Sequence, residues 1–84
     1  MNKEDESLQD LKCLLGNMGV ELFNAIDKGA KDFETMKILS GLPMACIKGR
    51  IPVLLELNLI VKNNDGYFLT NKGLSFKEKI DSNS

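Results

Sequence analysis

Residues 66–73, GYFLTNKG, mark the point where a strand ends and a helix begins. The first half of this stretch is aromatic and apolar, which favours a strand that ends at Thr70. The Thr70 hydroxyl can cap the first free backbone amides of a following helix. Gly73 would let that helix start pack closely on the strand. The stretch therefore predicts a strand followed by a covering helix, in which Phe76 and Ile80 share one face.

Upstream of Thr70, the sequence predicts a β-hairpin over residues 59–70. LIVK at 59–62 contains a β-branched pair typical of a strand. Between the two strands, Asp65-Gly66 is a strong signal for a tight turn. The hairpin and the helix after it therefore form the C-terminal part of the predicted fold.

The N-terminal part is predicted to be helical. Apolar residues recur at steps of three and four, which is the spacing of one helix face; they are Leu8, Leu11, Leu15, Met18, Leu22 and Ala25. Gly16 and Gly19 interrupt this pattern, and each costs up to about 1 kcal/mol inside a helix. We expect two helices, near residues 5–15 and 18–28, with a single long, bent helix as the alternative.

Two further helices are predicted between the N-terminal part and the hairpin. Asp32 is a candidate N-cap and Gly41 a candidate C-cap of the first. Its predicted inner face consists of Phe33, Met36 and Leu39. The second starts with Pro43 in its first turn. Its predicted apolar side consists of Ile47, Ile51, Leu54 and Leu55. Pro52 would remove a hydrogen bond and clash with the previous turn, so a kink or a split helix is expected there.

The composition is that of a small globular protein. The chain has 84 residues, of which 43% are hydrophobic and 27% charged. We expect one domain over residues 1–84, with frayed tails at 1–7 and 81–84. No apolar run approaches the about 20 residues that span a bilayer, and the acidic N-terminus does not resemble a secretory signal. A cytoplasmic location is therefore expected.

Two cysteines and the absence of histidine argue against a metal site. Cys13 and Cys46 lie 33 residues apart, and zinc generally requires about four Cys or His ligands. We expect two reduced, mostly buried thiols, with a redox or intermolecular bond as the alternative. No metal and no cofactor are predicted.

Charge is unevenly distributed along the chain. Residues 1–10 contain one basic and four acidic residues. Residues 35–77 contain six basic and two acidic residues, which leaves a local net charge of +4. This asymmetry favours an anionic partner for the second half of the chain.

The order of helices and hairpin resembles the winged helix-turn-helix superfamily of small archaeal and bacterial transcription regulators. Three stretches carry the resemblance: MKILSGLPMACIKGRIPVLLELNLI (36–60), the ELNLI exit into the hairpin (56–60), and GYFLTNKG (66–73). Asn58 stands where the superfamily usually has glycine, and asparagine also tolerates the left-handed conformation. The resemblance covers about residues 18–80. It implies an α+β, mostly α fold with an extra N-terminal helix, a two-stranded wing and a C-terminal helix.

The resemblance also implies DNA binding, with the second helix of the motif in the major groove and the wing along the backbone or minor groove. On that view Met44, Ala45, Lys48, Gly49 and Pro52 point outward. The expected DNA-binding residues are Lys37, Met44, Ala45, Lys48, Arg50, Lys62, Asn63, Asn64 and Lys72. Most of the outward positions lack hydrogen-bonding side chains, so phosphate-driven affinity is favoured over base readout.

Each expected contact has an ordinary alternative. The lysines can be solvated surface charges, and Arg50 can pair with Glu56 or another carboxylate. Met44 can be part of the core or of an interface. Asn63 and Asn64 are common turn residues for reasons unrelated to DNA.

The resulting hypothesis is a small DNA-binding transcription regulator that forms a homodimer. The expected dimer element is the N-terminal helix with Leu8, Leu11, Leu14 and Leu15, together with the C-terminal helix; the alternative folds this helix onto its own domain. A second hypothesis is a winged-helix module that binds other proteins. An enzyme is not expected, because the sequence lacks histidine, a phosphate-binding glycine loop and a paired acid with a nucleophile.

Overall fold

The computed structural model describes residues 8–82, in which the chain forms four helices and one two-stranded sheet. In order these are α1 (Leu8–Asp27), α2 (Phe33–Ser40), α3 (Met44–Glu56), β1 (Ile60–Asn63), β2 (Gly66–Leu69) and α4 (Asn71–Ser82). The fold is therefore α+β and mostly helical, as the sequence predicts. The predicted frayed segment 1–7 and residues 83–84 lie outside the described residues. Residues 81–82 belong to α4, so the C-terminal tail is shorter than expected.

The predicted interruption of the N-terminal helix occurs at Gly16. Its dihedral angles, φ 70° and ψ 176°, are not helical, and they bend α1 into two segments. Glycine reaches this conformation without a Cβ penalty, which explains why the break falls there. Gly19 remains helical and buried, and a Cβ there would contact the Leu15 side chain.

Both predicted caps of α2 are confirmed. The Thr35 amide donates to the Asp32 carboxylate at 2.8 Å. Because this bond favours the charged form, it lowers the pKa of Asp32 below its ordinary value. Gly41 adopts a left-handed conformation (φ 74°), and its amide donates to the Lys37 carbonyl at 2.9 Å.

Of the two outcomes expected at Pro52, the split helix is wrong, since α3 runs continuously from Met44 to Glu56. Pro52 is exposed, so the Lys48 carbonyl that loses its partner lies on the solvent side, where water can replace the amide. Beyond the proline the helical bonds resume, with the Leu57 amide donating to the Val53 carbonyl at 2.9 Å. Pro43 is the N-cap residue rather than part of the first turn.

Two predicted inward residues are instead partly exposed. Leu39 is 44% exposed and Leu55 is 38% exposed. Met36 is the buried residue of α2, because a helix of eight residues offers a short contact face. Ile47, Ile51 and Leu54 are buried in α3 as predicted.

The hairpin is confirmed, with antiparallel partners Ile60 and Leu69 at its base and Asn63 and Gly66 at its turn. The chain between α1 and α2 lies along its other edge, since the Tyr67 amide donates to the Lys31 carbonyl at 3.2 Å. A Cβ at Gly66 would lie 2.6 Å from that same oxygen. Gly66 therefore allows the backbone at Lys31 to approach the hairpin closely, and this contact joins the chain before α2 to the hairpin.

Thr70 ties together the three segments that meet at the base of the hairpin. Its hydroxyl donates to the Asn58 carbonyl at 2.6 Å and accepts from the Gly73 amide at 3.0 Å. Its own amide donates to the Leu59 carbonyl at 3.0 Å. Both predicted roles are confirmed: Thr70 caps α4, and Gly73 is buried against the Leu59 carbonyl with no room for a side chain.

The core lies between α1, α3, the base of the hairpin and α4. The Phe23 and Phe76 rings meet edge to face, with centroids 5.1 Å apart. The fully buried large side chains are Leu15, Leu22, Phe23, Met36, Ile47, Leu54, Leu59, Ile60 and Phe76. Among residues 8–82 no single helix is long and apolar enough to cross a membrane, and only α2 with α3, as a bent pair, reach that length and composition together.

Candidate nucleic-acid interface

The α2–α3 pair has the geometry of a helix followed by a sharp turn and a second helix. Only residues 41–43 separate the two, and the chain direction changes by 107° between them. The turn is fixed by the Gly41 cap and by the Leu42 amide, which donates to the Ser40 hydroxyl at 3.1 Å. Such a pair exposes one long face of its second helix.

The exposed residues of α3 are mostly small or apolar, and Lys48 and Glu56 carry the charges. Ala45, Lys48, Gly49 and Pro52 are all exposed, and we call these four residues the α3 stripe. Met44 is half-buried at the start of the helix. The outward orientation predicted for this face is confirmed, with Met44 partly turned into the domain.

The basic residues of α2 and α3 differ in their surroundings. Lys37 and Lys48 are exposed. Arg50 is half-buried and lines a shallow groove of about 260 Å³ with Met18 of α1 and with Cys46 and Gly49. Within the described residues, Arg50 forms no ion pair with Glu56.

The hairpin turn brings Lys62, Asn63 and Asn64 together beside the start of α2. The Lys62 ammonium lies 5.8 Å from the centroid of the Tyr67 ring, which itself stacks on Phe33 at 5.9 Å. The Asn63 side chain accepts from the Asp65 amide at 2.8 Å, which is a turn-forming contact. Lys62 and Asn63 therefore both make structural contacts within the hairpin. For Asn63 this agrees with its alternative role as a turn residue.

Lys72 makes a structural contact at the end of α3. Its ammonium donates to the Leu57 carbonyl at 2.9 Å, in a partly buried position. This carbonyl follows the last turn of α3, where a positive charge stabilises the helix dipole. Lys72 thus joins α4 to the end of α3.

The leucines proposed for dimerisation do not share one exposed face. Leu11 and Leu15 are buried in the core of their own chain, at 5% and 1% exposure, while Leu14 is 55% exposed. The side chain of Leu8 lies outside the described residues. The expectation that all four leucines meet a partner is therefore wrong for Leu11 and Leu15, and the alternative, packing on the same domain, applies to them.

Leu14 lines an apolar groove between α1 and α3. The groove has a volume of about 540 Å³, and its other walls are Pro52, Val53, Glu56 and Leu57. Among residues 9–82, the most exposed large apolar side chain is Ile38 of α2, which is 77% exposed. Sequence reasoning missed Ile38, although its position two residues after Met36 puts it on the opposite side of α2.

The cysteines are both free, but Cys13 is exposed, so the expectation that both thiols are mostly buried is wrong for Cys13. It lies on the solvent side of α1, next to Leu14. In the part of the chain that the structure describes, no group of His, Cys, Asp or Glu side chains could hold a metal ion.

The chain matches no protein-family model, no curated protein and no solved structure at a significant level. Its function is therefore inferred from the geometry and chemistry of its own residues.

Proposed function

We propose that this chain is a winged-helix DNA-binding protein of the cytoplasm that regulates transcription, with α3 as the helix that enters the major groove. The single observation that carries this proposal is the α2–α3 geometry: a three-residue turn, a 107° change of direction, and an exposed stripe on the second helix. Helix-turn-helix pairs cross at about 90–120° and place their second helix in the major groove.

The hairpin supports the same proposal. It follows α3 after three residues, and Lys31 bonds to its second strand, so the hairpin is held beside the start of α2. In this arrangement the hairpin is the wing, and its turn residues Asn63 and Asn64 lie at the DNA backbone. Lys62 is the cation of the hairpin and, on this proposal, contacts a phosphate; its ammonium also lies 5.8 Å from the centroid of the Tyr67 ring.

The electrostatic attraction comes from Lys37, Lys48 and Arg50. These three cations lie on α2 and α3, whose acidic residues are Glu34 and Glu56. Three phosphate contacts predict a slope of about −2.7 for log affinity against log salt, or about a 40-fold loss of affinity from roughly 50 to 200 mM salt.

The experiment is a salt titration of duplex binding, followed by fluorescence anisotropy. Lys48→Ala should weaken binding and make the salt slope shallower by about 0.9. Lys28→Ala is the matched control, because Lys28 is an exposed lysine outside α2, α3 and the hairpin. If Lys48→Ala and Lys28→Ala bind like the parent with the same slope, α3 is not the DNA-binding element.

We also propose that the chain dimerises through α1, because two recognition helices spaced one DNA turn apart bind far better than one. Leu14 and Met18 are exposed apolar residues of α1 that favour this, at 55% and 43% exposure. The solution mass, compared between the parent and Leu14→Glu, tests the dimer. A parent that is monomeric at high concentration would rule it out.

A second candidate function is a protein-binding module. The observation that favours it is the apolar groove between Leu14 and Pro52, together with the exposed Ile38. The salt titration distinguishes the two functions, because an apolar interface does not weaken steeply with salt while phosphate binding does.

A further inference from the structure

The face of the hairpin that points away from the core carries an aromatic side chain. Tyr67 and Phe68 are successive residues of β2, so their side chains point to opposite faces of the sheet. Tyr67 packs against the core, whereas Phe68 is half-buried on the other face. Its cross-strand partner there is Val61, which is 46% exposed. Phe68 therefore lies on the outer face of the hairpin, beside an exposed neighbour.

Lys31 lies over the Phe68 ring and is fixed at both ends. Its carbonyl accepts the Tyr67 amide at 3.2 Å, which holds its backbone against the edge of β2. Its ammonium lies 5.4 Å from the centroid of the Phe68 ring. A cation above an aromatic ring is attracted by the negative face of the ring. The hydrogen bond and the ring contact therefore hold a long, flexible side chain in one position on the outer face of the hairpin.

The charge of Lys31 remains available to a phosphate. Lys31 is exposed, and within residues 8–82 it forms no ion pair. The groove beside it contains three carboxylates, those of Asp32, Glu34 and Asp65. An ammonium has three hydrogen-bond donors, and those that point away from the ring can donate to phosphate oxygens. The ring therefore keeps Lys31 at the hairpin without using up its capacity to bind an anion.

We propose that Lys31 is a further DNA-contacting residue and that Phe68 is its positioning residue. This inference rests on the proposed DNA-binding function and extends the contact surface from the hairpin to the segment before α2. Lys31 donates to a backbone phosphate from the face opposite to Lys62, which shares its face with Tyr67. Ordering a long side chain at an interface costs free energy, and the Phe68 ring has ordered Lys31 before DNA arrives.

The contact by Lys31 is tested through the salt dependence of binding. The probe is a mixed-sequence duplex of roughly 20 base pairs, about two helical turns, and binding is followed by fluorescence anisotropy. Each phosphate contact contributes about 0.9 to the slope of log affinity against log salt, so Lys31→Ala should make that slope shallower by this amount. Lys28→Ala is the matched control, because Lys28 is also exposed and lies three residues earlier. An unchanged slope in Lys31→Ala overturns the contact.

The positioning role is tested by removing the ring and keeping the lysine. Phe68→Leu retains an apolar side chain on the outer face of the hairpin. We expect it to bind about two- to tenfold more weakly, because Lys31 then has to be ordered on binding. Its salt slope should stay that of the parent, because the charge is still present. Phe68→Tyr restores a ring and should restore the affinity. Circular dichroism confirms that the variants are folded before binding is measured.

A double-mutant comparison separates positioning from a merely structural role of Phe68. If the ring acts through Lys31, Phe68→Leu should have no further effect on affinity in the Lys31→Ala background. An equal loss with and without Lys31 overturns the positioning role, since the ring would then only stabilise the hairpin with Val61. Parent-like affinity of Phe68→Leu overturns it as well.

The outcomes also distinguish this inference from the function on which it rests. If Lys31→Ala binds like the parent while Lys48→Ala binds more weakly, the inference is overturned and the DNA-binding proposal stands. If the parent does not bind the duplex at low salt, both are overturned.

Discussion

Replacing Gly73 by alanine tests how the strand-to-helix junction is built. The new methyl group would be closer to the Leu59 carbonyl oxygen than carbon and oxygen atoms normally approach. That oxygen cannot easily move, because it accepts the Thr70 amide at 3.0 Å and Leu59 is fully buried. The clash therefore has to be relieved by a shift of α4 away from the hairpin.

The expected loss of stability follows from two opposing terms. Overpacking a rigid contact costs about 1–3 kcal/mol, toward the upper end here because the partner is backbone. Alanine recovers at most about 1 kcal/mol of helix propensity. Gly73→Ala should thus lower the free energy of unfolding by about 2 kcal/mol, and the melting temperature by roughly 8–16 °C for a chain of this size.

The assay is thermal and urea unfolding followed by far-ultraviolet circular dichroism. Gly49→Ala is the matched control, because Gly49 is also helical but a Cβ there meets nothing within 4 Å. It should raise stability by about 0.5–1 kcal/mol. Equal stability of the parent and Gly73→Ala would refute the close contact between Gly73 and the Leu59 carbonyl. A loss of stability in Gly49→Ala would show that the gain in helix propensity from glycine to alanine is wrongly assigned.

Three further substitutions address the caps and the α3–α4 contact. Thr70→Val removes the bonds to Asn58 and to the α4 amide and should cost about 1–2 kcal/mol in urea unfolding, whereas Thr70→Ser should restore most of it. The pKa of Asp32 is lowered in the folded protein, so the stabilisation from its negative charge is fully present above its ordinary pKa (~3.9). This stabilisation is lost as the pH falls through the lower pKa of the folded protein. The stability of the parent relative to Asp32→Asn should therefore decline over that acidic range, and a pH-independent difference would contradict this cause. Lys72→Met should cost about 1 kcal/mol in urea unfolding by removing the bond to the Leu57 carbonyl, and no change would mean that water replaces it.

The sequence predicts the fold well where local chemistry decides the structure. Asp32, Gly41 and Thr70 act through short-range bonds to their own neighbours, and each was predicted from residue type and position alone. The hairpin turn at Asp65-Gly66 is local in the same sense. These signals depend on a few adjacent residues, so the tertiary context does not change them.

The sequence predicts less where a residue's environment depends on other elements. Leu11 and Leu14 belong to one helix, and only Leu11 belongs to its apolar repeat, but whether that face packs on its own domain or on a partner depends on the other elements; the fold buries Leu11 and leaves Leu14 exposed. Pro52 was expected to kink or split α3, but it does not split it, because its position on the solvent side lets the helix continue. The contacts of Lys62 with Tyr67 and of Lys72 with Leu57 join different elements, so these lysines could not be assigned from the sequence.

The most direct test of the central claim, that α3 is the surface that meets DNA, is an NMR titration of isotope-labelled protein with a short duplex. We predict that the largest amide shifts occur at Ala45, Lys48, Gly49 and Arg50, with smaller shifts at the hairpin turn and little change in α4. Shifts concentrated in α1 and α4 with α3 unchanged, or no shifts at low salt, would contradict the claim.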